Sequence, residues 1–418
     1  MVDTIIVGKF VGVYALAGVG STGAISFMII GFCTGICAGF AIPVARAFGA
    51  RDIADLKKYF AMSLWLSLFF AVFLTLAVCF FTGDILHAMN TQDDIYQYAY
   101  DYIFIVFAGI PATLLYNLSS GMIRSLGDSK TPVYFLVLSS LLNIVLDLYT
   151  IAVLGMGVEG AAYATVFSQL VSGVLCTVYM FRHFEIIRIK GRDLRPSKKH
   201  IRHLVTIGIP MGLQYTITAI GNVILQTSVN SLGYAAVAAT TAGSKIRLFF
   251  CTPYDSLGGT MATFAGQNTG AGRPDRIKKG LREASLLGFG YSVLGILIMV
   301  IFGDSLSLMF LDSGESEIIA MSKFFLLADA SFGFFLTVVN TYRFAIQGMG
   351  YSGLAMLAGI MEMIGRSAVA FIMVPVFGFY AACFAAPLAW VLADIFLVPA
   401  AAICIKKLNM QFADGVPD

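Results

Sequence analysis

Long apolar stretches separated by short polar connections set the pattern of this chain. Several reach the roughly 20 residues that a helix needs to cross about 30 Å of hydrocarbon. Because hydrocarbon offers the backbone no hydrogen-bond partners, each such stretch must be helical. The pattern predicts eleven full membrane spans, at 13–45, 60–82, 98–123, 132–155, 160–181, 206–231, 233–266, 284–304, 318–347, 353–378 and 380–405.

The composition agrees with this pattern. Of 418 residues, 58% are hydrophobic and 12% charged, whereas a soluble domain carries about a quarter charged residues. The sequence therefore predicts an all-α polytopic membrane protein. No short basic segment, apolar core and cleavage site opens the chain, so no signal peptide is predicted.

The basic residues predict an orientation. Most of the 27 lysines and arginines lie on every second connection, within 46–58, 124–130, 182–202, 273–282 and 406–407. The alternate connections are acidic, with Asp84, Asp93, Asp94, Asp304 and Glu315 among their residues. The positive-inside bias places the basic connections and the carboxyl terminus in the cytoplasm of a multi-pass cell (inner or plasma) membrane protein. It also explains the basic stretch 182–203 without a nucleic-acid partner.

The chain repeats itself once. Residues 12–17 echo residues 233–238 at an offset of about 221, and Asn117 and Gly127 pair with Asn340 and Gly350 at an offset of about 223. Two lobes of six helices are therefore predicted, as parallel repeats about an axis along the membrane normal. We assign 1–190 to an amino-terminal lobe, 191–205 to a basic cytoplasmic linker and 206–418 to a carboxy-terminal lobe.

The repeat also predicts a gap at the start of the chain. The counterpart of helix 206–231 is represented by residues 1–9 alone. We therefore expect that this sequence lacks most of a first transmembrane helix, through a misassigned start or a truncation.

Four motifs resemble one transporter family. They are Val2-Asp3-Thr4-Ile5-Ile6-Val7-Gly8, Gly49-Ala50-Arg51, Arg124-Ser125-Leu126-Gly127-Asp128-Ser129-Lys130-Thr131-Pro132 and Gly266-Gln267-Asn268-Thr269-Gly270-Ala271-Gly272. Together, in order and over essentially the whole chain, they look like the multidrug and toxic compound extrusion (MATE) family. The resemblance implies a V-shaped antiporter of twelve helices that exports organic cations or related small amphiphiles in exchange for H⁺ or Na⁺. We expect a monomer in the lipid bilayer with no cofactor beyond the coupling ion.

Polar groups inside the spans predict a cation site. Intramembrane charge is unfavourable and is a functional hypothesis by default. Asn143 and Asp147 share one helix face at i, i+4, and a carboxylate with an amide and a hydroxyl offers hard oxygen ligands for Na⁺ or a place for a proton. The resemblance carries the family's cation-binding role to Asp3, Asn143, Asp147 and Thr165, with Na⁺ as the possible metal. The alternative is that Asp147 merely hydrogen-bonds a neighbouring helix.

The carboxy-terminal lobe lacks this acidic set. The offset places Asn143 and Asp147 on Arg366 and Ala370, and Gln214 stands where some family members carry a glutamate. Asp329 is interpreted as lying near the outer end of its helix, so no coupling site is predicted in this lobe.

Further polar residues of the later spans are candidates for a cavity or gate, namely Gln214, Lys245, Arg247, Asp255, Glu362 and Arg366. Glu362 and Arg366, at i, i+4, are interpreted first as a neutralising ion pair, with substrate binding or gating as the alternative. Lys245, Arg247 and Asp255 are interpreted as charges that line a wet cavity or stabilise a kink.

Other function classes find less support. Cys33 and Cys37 share a helix face, but the four histidines lie in loops or at span ends, so no metal site or enzyme active site is predicted. GxxxxGK[ST] is absent, so ATP is not the expected fuel. A flippase for lipid-linked precursors stays open as the alternative function, and it should favour a strongly cationic cavity.

Overall fold

The computed structural model describes residues 2–89, 91–311 and 314–413. They form eighteen α-helices joined by short turns, with two π-helical segments and one 3₁₀ turn: α1 Val2–Phe10, α2 Val13–Ser21, α3 Gly23–Gly49, α4 Ile53–Phe80, α5 Thr82–Ala88, α6 Asp93–Ala108, α7 Ile110–Ser125, α8 Lys130–Asp147, the π-helix Leu148–Val153, α9 Gly157–His183, the 3₁₀ turn Glu185–Ile187, α10 Lys198–Asn230, α11 Tyr234–Gly270, α12 Pro274–Ser307, α13 Ser316–Ser331, α14 Gly333–Gly348, α15 Ser352–Ala368, the π-helix Val369–Met373, α16 Val374–Phe377, α17 Phe379–Cys383 and α18 Ala385–Ala413.

The helices confirm the predicted all-α membrane fold. Among the described residues, eight helices are long and apolar enough to cross a membrane, or ten spans if each of two bent helix pairs counts as one. The span predicted at 233–266 is present as α11 but is not in that set. The span predicted at 13–45 is two helices, α2 and α3, which meet at Thr22.

The chain divides into two compact units, Met1–Thr216 and Ile217–Asp418. The division falls inside α10. The segment predicted as a linker, 191–205, contains the turn before α10 and the first turns of that helix. The predicted lobe boundaries, with 1–190 and 206–418 as the two lobes, therefore stay a prediction.

The two units repeat the same irregularities. Helices α6 and α7 meet at a bend of 44° in the first unit, and α13 and α14 meet at a bend of 49° in the second. Each unit also has a π-helix, Leu148–Val153 or Val369–Met373, after the helix that follows the bent pair. These breaks lie at the offset seen in the sequence, which supports the predicted two-lobed repeat.

The turn after α7 explains one of the sequence motifs. Gly127 has a φ of 98°, in the left-handed region where glycine is favoured. The Asp128 carboxylate then accepts hydrogen bonds from the backbone N–H groups of Lys130 and Thr131, each at 3.0 Å, and from the Tyr179 hydroxyl at 3.1 Å. Partial burial raises the pKa of Asp128, but hydrogen bonds, led by those of Thr131, outweigh burial and hold this pKa below its ordinary value. The motif thus starts α8, the helix that carries Asn143 and Asp147.

Candidate cation-binding site

Three helices of the first unit bring the predicted site residues together. Asp3 lies on α1, Asn143 and Asp147 lie on α8, and Thr165 lies on α9. The Asn143 side-chain amide donates a hydrogen bond to the Thr165 hydroxyl at 3.3 Å, and this hydroxyl donates one to the Asp3 carboxylate at 3.2 Å. Residues that are far apart in sequence therefore form one polar group inside the helix bundle.

Asp147 is the most buried member of this group. Its side chain is 0% exposed, and neither carboxylate oxygen has a hydrogen-bond partner among the residues that the structure describes. It interacts electrostatically with Asp3. A buried carboxylate without a hydrogen-bond donor is unfavourable unless a cation or a proton compensates its charge. The π-helix begins directly after Asp147, and such segments occur frequently at functional sites.

A cavity of about 230 Å³ adjoins the polar group. Its lining contains Thr165 and Tyr102, and Tyr102 lies within the electrostatic influence of both Asp3 and Asp147. The lining residues are uncharged: Ser26, Phe27, Ile30, Tyr102, Val106, Thr113, Thr165, Val166 and Gln169.

Sequence reasoning missed four polar residues of this cavity, namely Ser26, Tyr102, Thr113 and Gln169. Thr113 donates a hydrogen bond to the Gln169 side-chain oxygen at 2.6 Å. Gln169 follows Thr165 by one helical turn, and this i, i+4 spacing could have identified it. Tyr102 carries no comparable signal, because tyrosines are common at membrane interfaces.

The donor set suits a small hard cation or a proton. Two carboxylates, an amide and a hydroxyl supply oxygen ligands, and such ligands suit hard cations. Within the described part of the chain, no three His, Cys, Asp or Glu side chains are grouped so that they could hold a metal ion. A Na⁺ site here would therefore depend on Asn143 and Thr165 as well as on the two acids.

The second unit contains a different, mixed-charge cluster. Arg366 donates a hydrogen bond to Glu362 at 3.0 Å, so the predicted i, i+4 ion pair is present. Arg343, on α14, forms a second ion pair with Glu362. All three side chains are buried, and Glu362 is 3% exposed. Sequence reasoning overlooked Arg343 as a partner.

The position of Asp329 corrects a sequence interpretation. The sequence interpretation puts it near the outer end of its helix, but it is buried just before the break between α13 and α14, close to the middle of the bent pair. The Asp329 carboxylate lies 3.6 Å from Nε of Arg247, on α11. Both residues line a cavity of about 30 Å³. The predicted span 318–347 already has residue 329 near its middle, so the error lay in the interpretation of Asp329 and not in the bounds of the span.

The other candidates lie on α10 and α11, which are not among the helices that carry the Asp3 and Asp147 group. Gln214 is buried on α10, within the first unit, and is not part of the lining of the 230 Å³ cavity. Lys245 is half-buried and Asp255 is exposed, both on α11 of the second unit. Asp255 interacts electrostatically with Arg343.

Comparisons with known proteins agree with this architecture. The family model MatE matches residues 1–149 and 210–372. The chain is 29% identical over 329 residues to the probable multidrug resistance protein YoeA of Bacillus subtilis, covering 77% of this chain and 71% of that protein. It is 23% identical over 356 residues to a FAD transporter of Shewanella oneidensis, covering 82% and 78%.

Solved structures share the fold. An outward-facing structure of a multidrug resistance MATE family transporter superimposes with a TM-score of 0.92 at 23% identity, over 97% of this chain and 91% of that one. The fold, the repeat and the matched family model together show that this chain belongs to the MATE family, whose members are membrane transporters and not enzymes.

Proposed function

We propose that this transporter is a secondary active antiporter that exports organic cations or related amphiphiles in exchange for H⁺ or Na⁺. The observation that carries the proposal is the buried Asp147 carboxylate, without a hydrogen-bond donor, next to the linked Asp3, Thr165 and Asn143 side chains. A cation or proton bound here compensates the charge of a buried carboxylate that has no hydrogen-bond donor among the described residues.

Coupling then requires that cation and cargo favour different states of the transporter. In the proposed cycle, the outward-open state binds the cation at Asp3 and Asp147. The first unit rearranges around α1 and the π-helix after α8, and cargo affinity falls. Cargo leaves, and the cation-loaded transporter returns to face inward. No nucleotide is needed.

The cavity favours a cationic or neutral cargo. None of the nine residues that line it is Lys, Arg or His, and Phe27 and Tyr102 can present aromatic faces to a flat cation. A flippase for lipid-linked pyrophosphates should have basic groups there. The two relatives are named for different cargoes: YoeA is called a probable multidrug resistance protein, and the Shewanella oneidensis protein is called a FAD transporter. Our proposal for this chain therefore rests on the lining of its own cavity.

The test is efflux of a fluorescent organic cation from drug-sensitive bacteria that produce either the unchanged protein or Asp147→Asn. We expect efflux from the unchanged protein and its loss in the variant at equal membrane expression. Asp94→Asn, at the exposed start of α6, is the matched control and should retain efflux. Efflux that survives Asp147→Asn would contradict the assigned site, and absence of efflux from the unchanged protein would contradict the cargo class.

For the whole chain we propose a monomer in the cell membrane with a cytoplasmic carboxyl terminus. The basic connections support this orientation. In this arrangement Glu362 and Arg366 stabilise the second unit as an ion pair and do not bind cargo. A cysteine introduced at Arg192 should react with an impermeant thiol reagent in permeabilised cells and not in intact cells. Reaction in intact cells would reverse the orientation.

A further inference from the structure

Glu362 already binds two arginines in the second unit. One is Arg366, a helical turn away on α15, and the other is Arg343 on α14. Arg366 also interacts electrostatically with Asp329, which pairs with Arg247. Each of these two buried acids therefore has a guanidinium within ion-pair distance.

Asp394 is different from these acids. It lies on α18 and is 8% exposed, and within the described part of the chain neither of its carboxylate oxygens has a hydrogen-bond partner. Arg343 acts on Asp394 electrostatically, but its guanidinium contacts Glu362. Asp394 thus stands beside a cation that is engaged with another acid.

The surroundings of Asp394 offer few other charges. α15 presents Glu362 and Arg366, α14 presents Arg343, and α13 presents Asp329, which is paired with Arg247. The charged residues of α12, another helix packed on α18, lie towards its ends, at 275–283 and 304. On α18 itself, Lys406 and Lys407 lie three turns further along the helix. Among the described residues, no group of three acids, histidines or cysteines could hold a metal ion here.

We propose that Asp394 is a second proton-binding site, located in the second unit and separate from Asp3 and Asp147. Burial without a hydrogen-bond donor disfavours the ionised form of a carboxylate, and protonation removes that penalty. When Asp394 is protonated, Arg343 stays paired with Glu362. The ionised acid competes with Glu362 for Arg343, so that proton release draws α14 towards α18. Arg343 is then the side chain with two arrangements through which the proton acts on the helices.

Infrared spectroscopy of the purified full-length protein tests this assignment without transport. All samples carry Asp147→Asn, so that any carboxylic-acid signal from the amino-terminal site is the same in every spectrum. At neutral pH, we expect the C=O stretching band of a protonated, slowly exchanging carboxylic acid. Asp394→Asn should remove this band, Asp394→Glu should retain it at a shifted frequency, and replacement of K⁺ by Na⁺ should leave it unchanged.

Several outcomes would overturn the proposal. Identical spectra for the protein that retains Asp394 and for its Asp394→Asn variant would mean that this acid is ionised. Loss of the band in Na⁺ would mean that the acid binds a metal ion. Failure of Asp394→Asn to give a monodisperse protein would also contradict it, because asparagine mimics the neutral acid. Since the spectrum needs no cargo, failure of the efflux experiment leaves this test intact.

Discussion

The Thr165 hydroxyl connects the side chains of the proposed cation site. It accepts a hydrogen bond from Asn143 and donates one to Asp3, so that α8, α9 and α1 meet at one oxygen. Both contacts hold oxygen ligands in place near Asp147. The geometry of the site should therefore depend on this hydroxyl more than on the volume of the side chain.

Substitution of Thr165 separates these two contributions. Thr165→Val keeps the volume and removes both hydrogen bonds. Because a hydrogen bond to a charged group contributes about 1.5–3 kcal/mol, we expect the affinity for the coupling cation to fall roughly tenfold or more. The measurement is the initial rate of efflux against Na⁺ or H⁺ concentration. Thr165→Ser keeps the hydroxyl and should stay close to the unchanged protein, and equal affinities for the valine variant would contradict the role of the hydroxyl.

Glu362 provides a prediction on stability. Glu362→Gln removes the carboxylate that pairs with two buried guanidiniums, and breaking a buried pair destabilises a protein by about 3–5 kcal/mol. We expect a lower thermal unfolding temperature in detergent. The control is Glu185→Gln, whose pair with Arg188 is exposed, with side-chain exposures of 78% and 61%, and should contribute about 0–1 kcal/mol. Equal unfolding temperatures for the two variants would mean that the buried cluster does not stabilise the fold.

At the residue scale, part of the site could be predicted from the amino-acid pattern. Asn143, Asp147 and Thr165 could be found because polar groups are unfavourable in hydrocarbon and because i, i+4 residues share a face. Asp394 and Arg343 lie in predicted spans, and the same reasoning could have selected them. Their relationship could not be predicted, because it depends on how α14, α15 and α18 pack, which apolar periodicity does not specify.

Close approach of helices depends on glycine at one point of the first unit. A Cβ added to Gly39, on α3, would lie 2.5 Å from Cα of Gly208, on α10. Backbone cannot move aside as a flexible side chain does. The small residue thus sets the distance between two long helices, as expected for membrane helix packing.

Gly39→Ala should force these helices apart. Overpacking of a tight contact destabilises a protein by about 1–3 kcal/mol, so we expect a lower unfolding temperature and a smaller monodisperse fraction in size-exclusion chromatography. Gly23→Ala is the control on the same helix, since nothing lies within 4 Å of its added Cβ. If Gly39→Ala unfolds at the same temperature as the control, α3 and α10 do not need this contact.

Helix positions were predictable to different extents. The length of the apolar stretches located most spans, because a bilayer demands uninterrupted backbone hydrogen bonding. The bend at the start of α7 coincides with Pro111, which disfavours a continuous helix. The break at Thr22 and the two π-helices were not predicted, because local packing and not apolar periodicity determines them.

The two units share a fold but not their chemistry. Their bends and π-helices coincide in the repeat, yet Asn143 and Asp147 correspond to Arg366 and Ala370. The first unit therefore contains two interacting acids, Asp3 and Asp147, and the second contains an acid, Glu362, that pairs with two arginines. The repeat predicted the common helices, and comparison of the repeated positions revealed the asymmetry. Duplication explains the common helices, and we attribute the asymmetry of the polar residues to cation coupling in the first unit.

The most direct test of that coupling uses purified protein in proteoliposomes. A Na⁺ gradient or a pH gradient is imposed separately, and the movement of a fluorescent organic cation against its own gradient is measured for the unchanged protein and for Asp147→Asn. Our account predicts that one of the two gradients drives the organic cation through the unchanged protein and that neither gradient drives it through Asp147→Asn. Gradient-driven movement of equal rate through both proteins, or movement that is independent of both gradients, would contradict it.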